Sequence, residues 1–307
     1  MSAHAPRSID EYLRQLRAAL EGQDPALIQD ALYDAEEYLR AELASHAGKS
    51  EADVLELIAS TYGAPEEVAA AYRDTEAKVK AALKTPVPAA AADASAWKRF
   101  FGVYLDPRPY TSIFYMLLSL ATGIVYFTIV VTGLSLSLGF AILIIGVPFF
   151  LAFIGIARVI ALGEGRLLEA ITGERMPRRP VHPGPPASWW TRIGDMLKDV
   201  RTWTTLAYLL IMLPLGIAYF TIAVTGLAGS AALIIAPVTL LARQLGWTDV
   251  DVYWHDGHAW SPDHPLLAAI PLFVLGVMAL TLLMHLARGL VRMHARLAKA
   301  MLVVPGA

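Results

Sequence analysis

The sequence predicts an all-α chain: a small cytoplasmic helical bundle followed by a four-helix transmembrane domain built from two repeated hairpins. Three observations carry this. The 307 residues are 56% hydrophobic and 17% charged, too apolar for an ordinary soluble domain. The charge is unevenly divided: residues 1–83 hold 16 acidic and 8 basic side chains, while the rest holds 11 acidic and 17 basic ones set between apolar runs. Finally, residues 115–134, YMLLSLATGIVYFTIVVTGL, recur at 208–227 as YLLIMLPLGIAYFTIAVTGL. Each copy is about as long as a bilayer crossing, so the membrane unit is duplicated.

The head, residues 1–83, reads as four helices. Ser8 with Glu11 makes a capping-box signature before the stripe Ile9, Tyr12, Leu13, Leu16, Leu20. Asp24-Pro25 is an N-cap followed by proline at the first helical position. Leu27, Ile28, Ala31, Leu32, Ala35, Tyr38, Leu39 and Leu43 continue one apolar face up to a glycine stop at Gly48. Ser50 with Asp53 opens a third helix carrying Val54, Leu57, Ile58 and Tyr62, which stops at Gly63. Ala64-Pro65-Glu66-Glu67 opens a fourth, with Val68, Ala71 and Tyr72 inward. YLRQLRAAL, DALYDAEEYLRAEL and YGAPEEVAAAY together resemble the HAAS signalling domain. That resemblance implies a cytoplasmic signalling role and a protein partner, such as a PadR-type regulator. The acidic run Asp34, Glu36, Glu37 is the candidate surface for a basic partner, or else a solvated helix face.

Residues 84–105 read as linker and interfacial helix. KTPVPAAAADASA is Pro/Ala-rich, and WKRFFGVYL sets aromatics beside Lys98 and Arg99, as at a headgroup layer. Residues 106–305 then hold four spans, at about 110–133, 138–160, 204–227 and 266–287. Lys and Arg gather before span one, between spans two and three, and after span four. The positive-inside rule therefore places head, middle loop and C-terminus in the cytoplasm, and the location expected is a bacterial inner membrane. The N-terminus has no apolar run, so no cleavable signal is expected.

Segment 229–242, GSAALIIAPVTLLA, is short for a span and contains Pro237, so it is expected to be a partial or interfacial segment. AILIIGVP at 141–148 resembles AALIIAP at 231–237, and ARVIALGEGRLLEA at 157–170 aligns with ARGLVRMHARLAKA at 287–300. The repeats, about 110–175 and 203–305, are thus expected to be parallel hairpins related by a pseudo-twofold along the membrane normal, the second split by an outside insertion. On DVRTWTTLAYLL at 199–210 and LARGLVRMHARLAKAML at 286–302, the region 106–305 resembles the sensor domain found at the N-terminus of many actinobacterial histidine kinases. The resemblance implies signal perception. No kinase motif follows it within these residues, so output is expected from the head or a separate partner.

Candidate chemistry lies in two places. The outside segment VDVYWHDGHAWSPDH offers His255, Asp256, His258 and His264, residue types that bind Zn²⁺ or Cu²⁺, and histidine at 255 and 258 also makes the segment a candidate proton sensor. The alternative is a solvated loop in an aromatic belt of Trp247, Tyr253, Trp254 and Trp260. Inside the membrane, Gly123, Tyr126, Thr128 and Thr132 of one copy match Gly216, Tyr219, Thr221 and Thr225 of the other. Small residues allow close helix approach and threonines can bond a neighbouring helix, so these positions are either a ligand or lipid groove or packing contacts. Spans one and three carry no Asp, Glu or Lys, which argues against an ion pathway. The extension of span two carries Glu164, Arg166, Glu169, Glu174 and Arg175; it reads as a mixed-charge surface helix or a relay to the head. There is no cysteine, no phosphate loop, dinucleotide fingerprint or nucleophile elbow, so neither enzymatic activity nor direct nucleic-acid binding is expected. Lipids, a cytoplasmic protein and further copies of the chain are the expected partners.

Overall fold

The computed structural model describes residues 5–46, 48–83, 95–140, 146–177, 189–248 and 265–303, and among them every regular element is helical. The elements are α1 (Ile9–Ala19), α2 (Pro25–Ser45), α3 (Glu51–Ala59), α4 (Pro65–Leu83), α5 (Ala96–Phe101) with a short 3-10 turn (Gly102–Leu105), α6 (Pro107–Gly139), α7 (Gly146–Thr172), α8 (Trp189–Lys198), α9 (Val200–Gln244) and α10 (Pro265–Leu302). Four of these are long and apolar enough to cross a membrane: α6, α7, α9 and α10. Contacts divide the chain into two compact units. One comprises Met1–Pro88, Ile129–Tyr208 and Ala295–Ala307, the other Ala89–Thr128 and Leu209–His294.

In the first unit, α1 to α4 enclose a core of Ile9, Tyr12, Leu16, Leu20, Leu27, Leu39, Val54, Leu55, Ile58 and Val68. Leu16 and Leu20 have no exposure, and burying each such side chain is worth about 1.5–3 kcal/mol. Two expected inner residues, Leu57 and Ala71, face solvent. The caps are local. Ser50 and Asp53 form a complete capping box, and Asp24 Oδ1 accepts from Ala26 N at 2.9 Å. The Ser8 box is half made: Ser8 Oγ accepts from Glu11 N, but the Glu11 carboxylate takes Arg7 N, while Ile9 N donates to Glu51 Oε1 at 2.6 Å. Gly63, at φ +101, turns the chain from α3 to α4, and Tyr12 Oη donates to its carbonyl at 2.9 Å.

In the second unit, α5 and its 3-10 turn lie along α10. Phe100 stacks on His285 with ring centroids 5.4 Å apart. Tyr104 Oη bonds Thr281 Oγ1 at 2.8 Å, and Arg288 pairs with Asp106 at 3.1 Å. The expectation for segment 229–242 is overturned: it continues α9. Its length suggested a separate piece, but nothing between Gly229 and Ala242 ends a helix except Pro237. An apolar helix absorbs a proline at the cost of one backbone bond. At 45 residues, α9 is about 68 Å long, far longer than a hydrocarbon core of about 30 Å. Of the likeness of 141–148 to 231–237, the second segment lies inside α9, and residues 141–145 of the first lie outside the described residues.

The repeat does mark one reciprocal contact. A Cβ on Gly123 would lie 2.6 Å from the Met212 carbonyl oxygen and 3.0 Å from Leu213 Cα; one on Gly216 would collide with Ser119 O and Leu120. Met212 aligns with Ser119 across the repeat, so each glycine meets the other copy's counterpart. As residue numbers rise on α6 they fall on α9, so the helices pass in opposite senses. This corrects the expected relation: the local two-fold lies across the helix axes, not along them. Farther out, Gly276 of α10 lies so close to α9 that a Cβ would come 2.9 Å from Ile234 N.

Gly123→Ala or Gly216→Ala should destabilise the protein in detergent by about 1–3 kcal/mol. Gly229→Ala, with nothing within 4 Å of the added Cβ, should leave the unfolding midpoint unchanged or raise it. Equal behaviour of the three variants in thermal unfolding would contradict this packing. In the head, Tyr62 is half-buried, stacked on Tyr38 at 4.3 Å. Burial first, and the negative charge of Asp34 second, push its pKa from 10.0 up to about 12. The neutral phenol thus adds stability that is complete below pH 10 and lost as pH rises towards 12. Tyr62→Phe should flatten the loss of stability across that window, as measured by chemical unfolding at several alkaline pH values.

Candidate functional site

The polar groups that fold brings together lie in the first unit, where the head meets the ends of α7, α9 and α10. After α7 the chain reverses at Gly173, whose φ is +73 and whose N–H bonds Glu169 O at 2.8 Å. The reversal lays Met176, fully buried, against Gly165 and turns Arg175 towards the head. The Arg175 guanidinium bonds Asp30 of α2 at 2.9 Å and also the Glu76 carboxylate of α4. Side-chain exposures are 11% for Arg175, 6% for Asp30 and 7% for Glu76, so the cluster is largely removed from water. A second link joins Lys299, near the end of α10, to Asp24 at 2.6 Å; the same Asp24 caps α2 through its other oxygen.

Beside these links lies a small cavity of about 70 Å³, reached by Gln29 of the head, Arg158 of α7, Asp199 and Arg201 at the start of α9, and Leu302 of α10. Arg158 pairs with Asp199 at 3.3 Å and donates to Thr202 Oγ1 at 3.2 Å, both through one terminal nitrogen. Asp199 Oδ1 also accepts from Arg201 N at 3.0 Å, closing the first turn of α9.

The expected site residues are distributed differently. Of the acidic run, Asp34 accepts from Tyr72 Oη at 2.9 Å within the head, Glu36 pairs with Arg40 one turn on, and Glu37 is exposed. The carboxylates that receive basic groups are instead Asp24, Asp30 and Glu76. Asp30 was visible in principle, since it interrupts a buried stripe between Leu27 and Ala31. In the mixed-charge extension, Glu164 is 1% exposed and Arg175 is committed to the head, so neither belongs to a solvated face.

Among the intramembrane positions, Gly123 and Gly216 form the α6–α9 contact, and Tyr219 is buried with its hydroxyl 3.3 Å from His294 Nδ1. His294 also lies against Tyr115 at 5.6 Å between ring centroids. Tyr126 is half-buried. The threonines do not join them. Thr128, Thr132, Thr221 and Thr225 are exposed, and the hydroxyls of Thr128, Thr221 and Thr225 donate to carbonyls one turn back on their own helices at 2.6–2.7 Å. That bond competes with the interhelical one expected for them. His255, Asp256, His258 and His264 lie outside the described residues; among the described residues no three His, Asp or Glu groups are placed to hold a metal ion.

Residues 115–302 match the family described as "Putative sensor". The chain belongs to this family. The match covers more than half of the sequence and takes in α7, α9, α10 and all but the first turns of α6. No curated protein and no solved structure matches the chain. The sensor family assignment leaves α1 to α4 outside its limits, so the Asp30 and Glu76 carboxylates are an addition to the sensor region that grips Arg175 within it.

Arg175→Ala strips the cation from two buried carboxylates, a loss of about 3–5 kcal/mol for a buried pair. Hydrogen exchange should accelerate around Asp30 and Glu76 in that variant. The triple change Asp30→Asn, Glu76→Gln, Arg175→Met removes all three charges and should recover most of the protection. Unchanged exchange in Arg175→Ala would show that the cluster does not hold the head.

Proposed function

We propose that this protein is a membrane-embedded sensor that passes a membrane or envelope signal to a cytoplasmic protein partner through its helical head, without catalysis of its own. The observation that carries this is the Arg175 cluster. The sensor region and the head are joined by a buried charge network with two acceptors, a type of contact that is costly when half broken and so tends to be either made or released. The resemblance of α1 to α4 to the HAAS signalling domain supports the output role.

In this scheme a change in the packing of α6, α7, α9 and α10 shifts the ends of α7 and α10. That shift loosens Arg175 from Asp30 and Glu76, and Lys299 from Asp24. Released carboxylates then become available to a basic surface on the partner. Transport is the second reading, supported by the duplication of the apolar hairpins; the absence of acidic or lysine side chains in spans one and three weighs against it.

The test compares the full-length wild type with Arg175→Gln in native membranes by quantitative cross-linking and mass spectrometry. A release mechanism predicts that Arg175→Gln changes the yield of a specific head-to-partner cross-link by about tenfold or more. The same partner recovered equally from both proteins, or none from either, would count against the scheme. Substrate flux in vesicles holding the purified chain would favour transport.

A further inference from the structure

We propose that the cavity at the start of α9 binds the phosphate group of an anionic ligand, with Arg201 as the principal contact and Arg158 as the second. The inference concerns binding and does not depend on what the head passes on. Arg201 is half-buried at this cavity, and among the described residues no carboxylate lies within ion-pair distance of its guanidinium. Around it on the cavity wall stand Asp199 and Arg158, which pair with each other at 3.3 Å. The cavity lining itself holds one carboxylate, Asp199, against two guanidiniums, Arg158 and Arg201, which leaves the site net positive. Holding like charges together in a partly dry place is unfavourable unless an anion joins them.

The chemistry of the donors selects the anion. Arg158 is engaged through one terminal nitrogen, and a guanidinium has five donors in a planar fork. A carboxylate presents two coplanar oxygens, whereas a phosphate group presents three or more in a tetrahedral array, so two guanidiniums approaching from different sides can each meet its own pair of oxygens. The first turn of α9, capped by Asp199, adds a positive dipole end on the same side. The volume of about 70 Å³ compares with about 10–15 Å³ for one water, so the cavity takes a compact oxyanion. Ala161, Leu162, Pro177 and Leu302 supply an apolar wall, against which an ester substituent can lie. Two sources share this chemistry: an anionic lipid headgroup and free phosphate.

The full chain, purified in an uncharged detergent, is titrated separately with inorganic phosphate and with dihexanoyl phosphatidylglycerol, and binding is followed by calorimetry. Saturable binding of at least one probe is expected. Arg201→Gln should weaken it by about tenfold or more, and Arg201→Lys by less, because lysine keeps the charge but loses the fork. Arg243→Gln, an exposed arginine at the other end of α9, should leave it within about twofold. Phosphate binding alone would identify a soluble ligand, and lipid binding alone a headgroup. Should Arg201→Gln fail to fold, as judged by its unfolding midpoint, Arg201→Lys against Arg243→Gln decides. The proposal is overturned if neither probe saturates, or if the Arg201 and Arg243 variants behave alike.

Discussion

Arg175 held between Asp30 and Glu76 is the interaction on which the arrangement of the first unit depends. Its partners lie 145 and 99 residues away, on two different head helices, so one guanidinium orders α2, α4 and the end of α7 together. Ion pairs of this kind add little net stability, because removing three charges from water costs nearly what their attraction returns. Their effect is on specificity. An apolar contact in the same place would tolerate sliding, whereas a planar fork set against two fixed carboxylates admits few alternative positions.

The same sign relation recurs around that cluster. The head is net acidic, and the ends of the long helices are basic. Lys299 meets Asp24, and Arg175 meets Asp30 and Glu76. Each acceptor is also part of the fold of the head: Asp24 caps α2, and Asp30 sits among the buried residues of α2. A carboxylate that both caps a helix and binds a distant lysine ties the state of that contact to the start of the helix. Loss of the lysine is then felt at α2 and not merely at the surface.

The head was legible from the sequence because its determinants are local. Ser50 with Asp53, Asp24 before Pro25, and the spacing of Leu16, Leu20, Leu27 and Leu39 depend on neighbours within a turn or two, and the helices form where those signals stand. The long-range pairs were not legible in that way. Asp34, Glu36 and Glu37 drew attention as a run, yet a run is a local pattern, and two of the three are consumed by Tyr72 and Arg40. Asp30 carried the better signal, a lone carboxylate in an apolar stripe. In the apolar half, the repeat identified Gly123 and Gly216 as related positions, while the direction of the helices rested on the Lys and Arg distribution, a property of the loops that the α6–α9 contact does not follow. Segment 229–242 was misjudged for a related reason: length separates spans from fragments only when a helix stops at the membrane surface, and α9 does not.

The repeat has a further consequence at its polar ends. Aligning 157–170 with 287–300 sets Glu164 of α7 opposite His294 of α10, and each is almost completely buried, at 1% and 0% exposure. A polar side chain buried in an apolar bundle is costly unless it is bonded, and His294 has Tyr219 and Tyr115 beside it. The aligned positions thus hold buried polar groups of different chemistry, a carboxylate on α7 and an imidazole on α10. Each of the two helices also ends in its own link to the head: α7 leads through Gly173 to the Arg175 contact, and α10 leads to Lys299 and Asp24. Two different links from two helices, Arg175 to Asp30 and Lys299 to Asp24, thus both end on α2 or its cap.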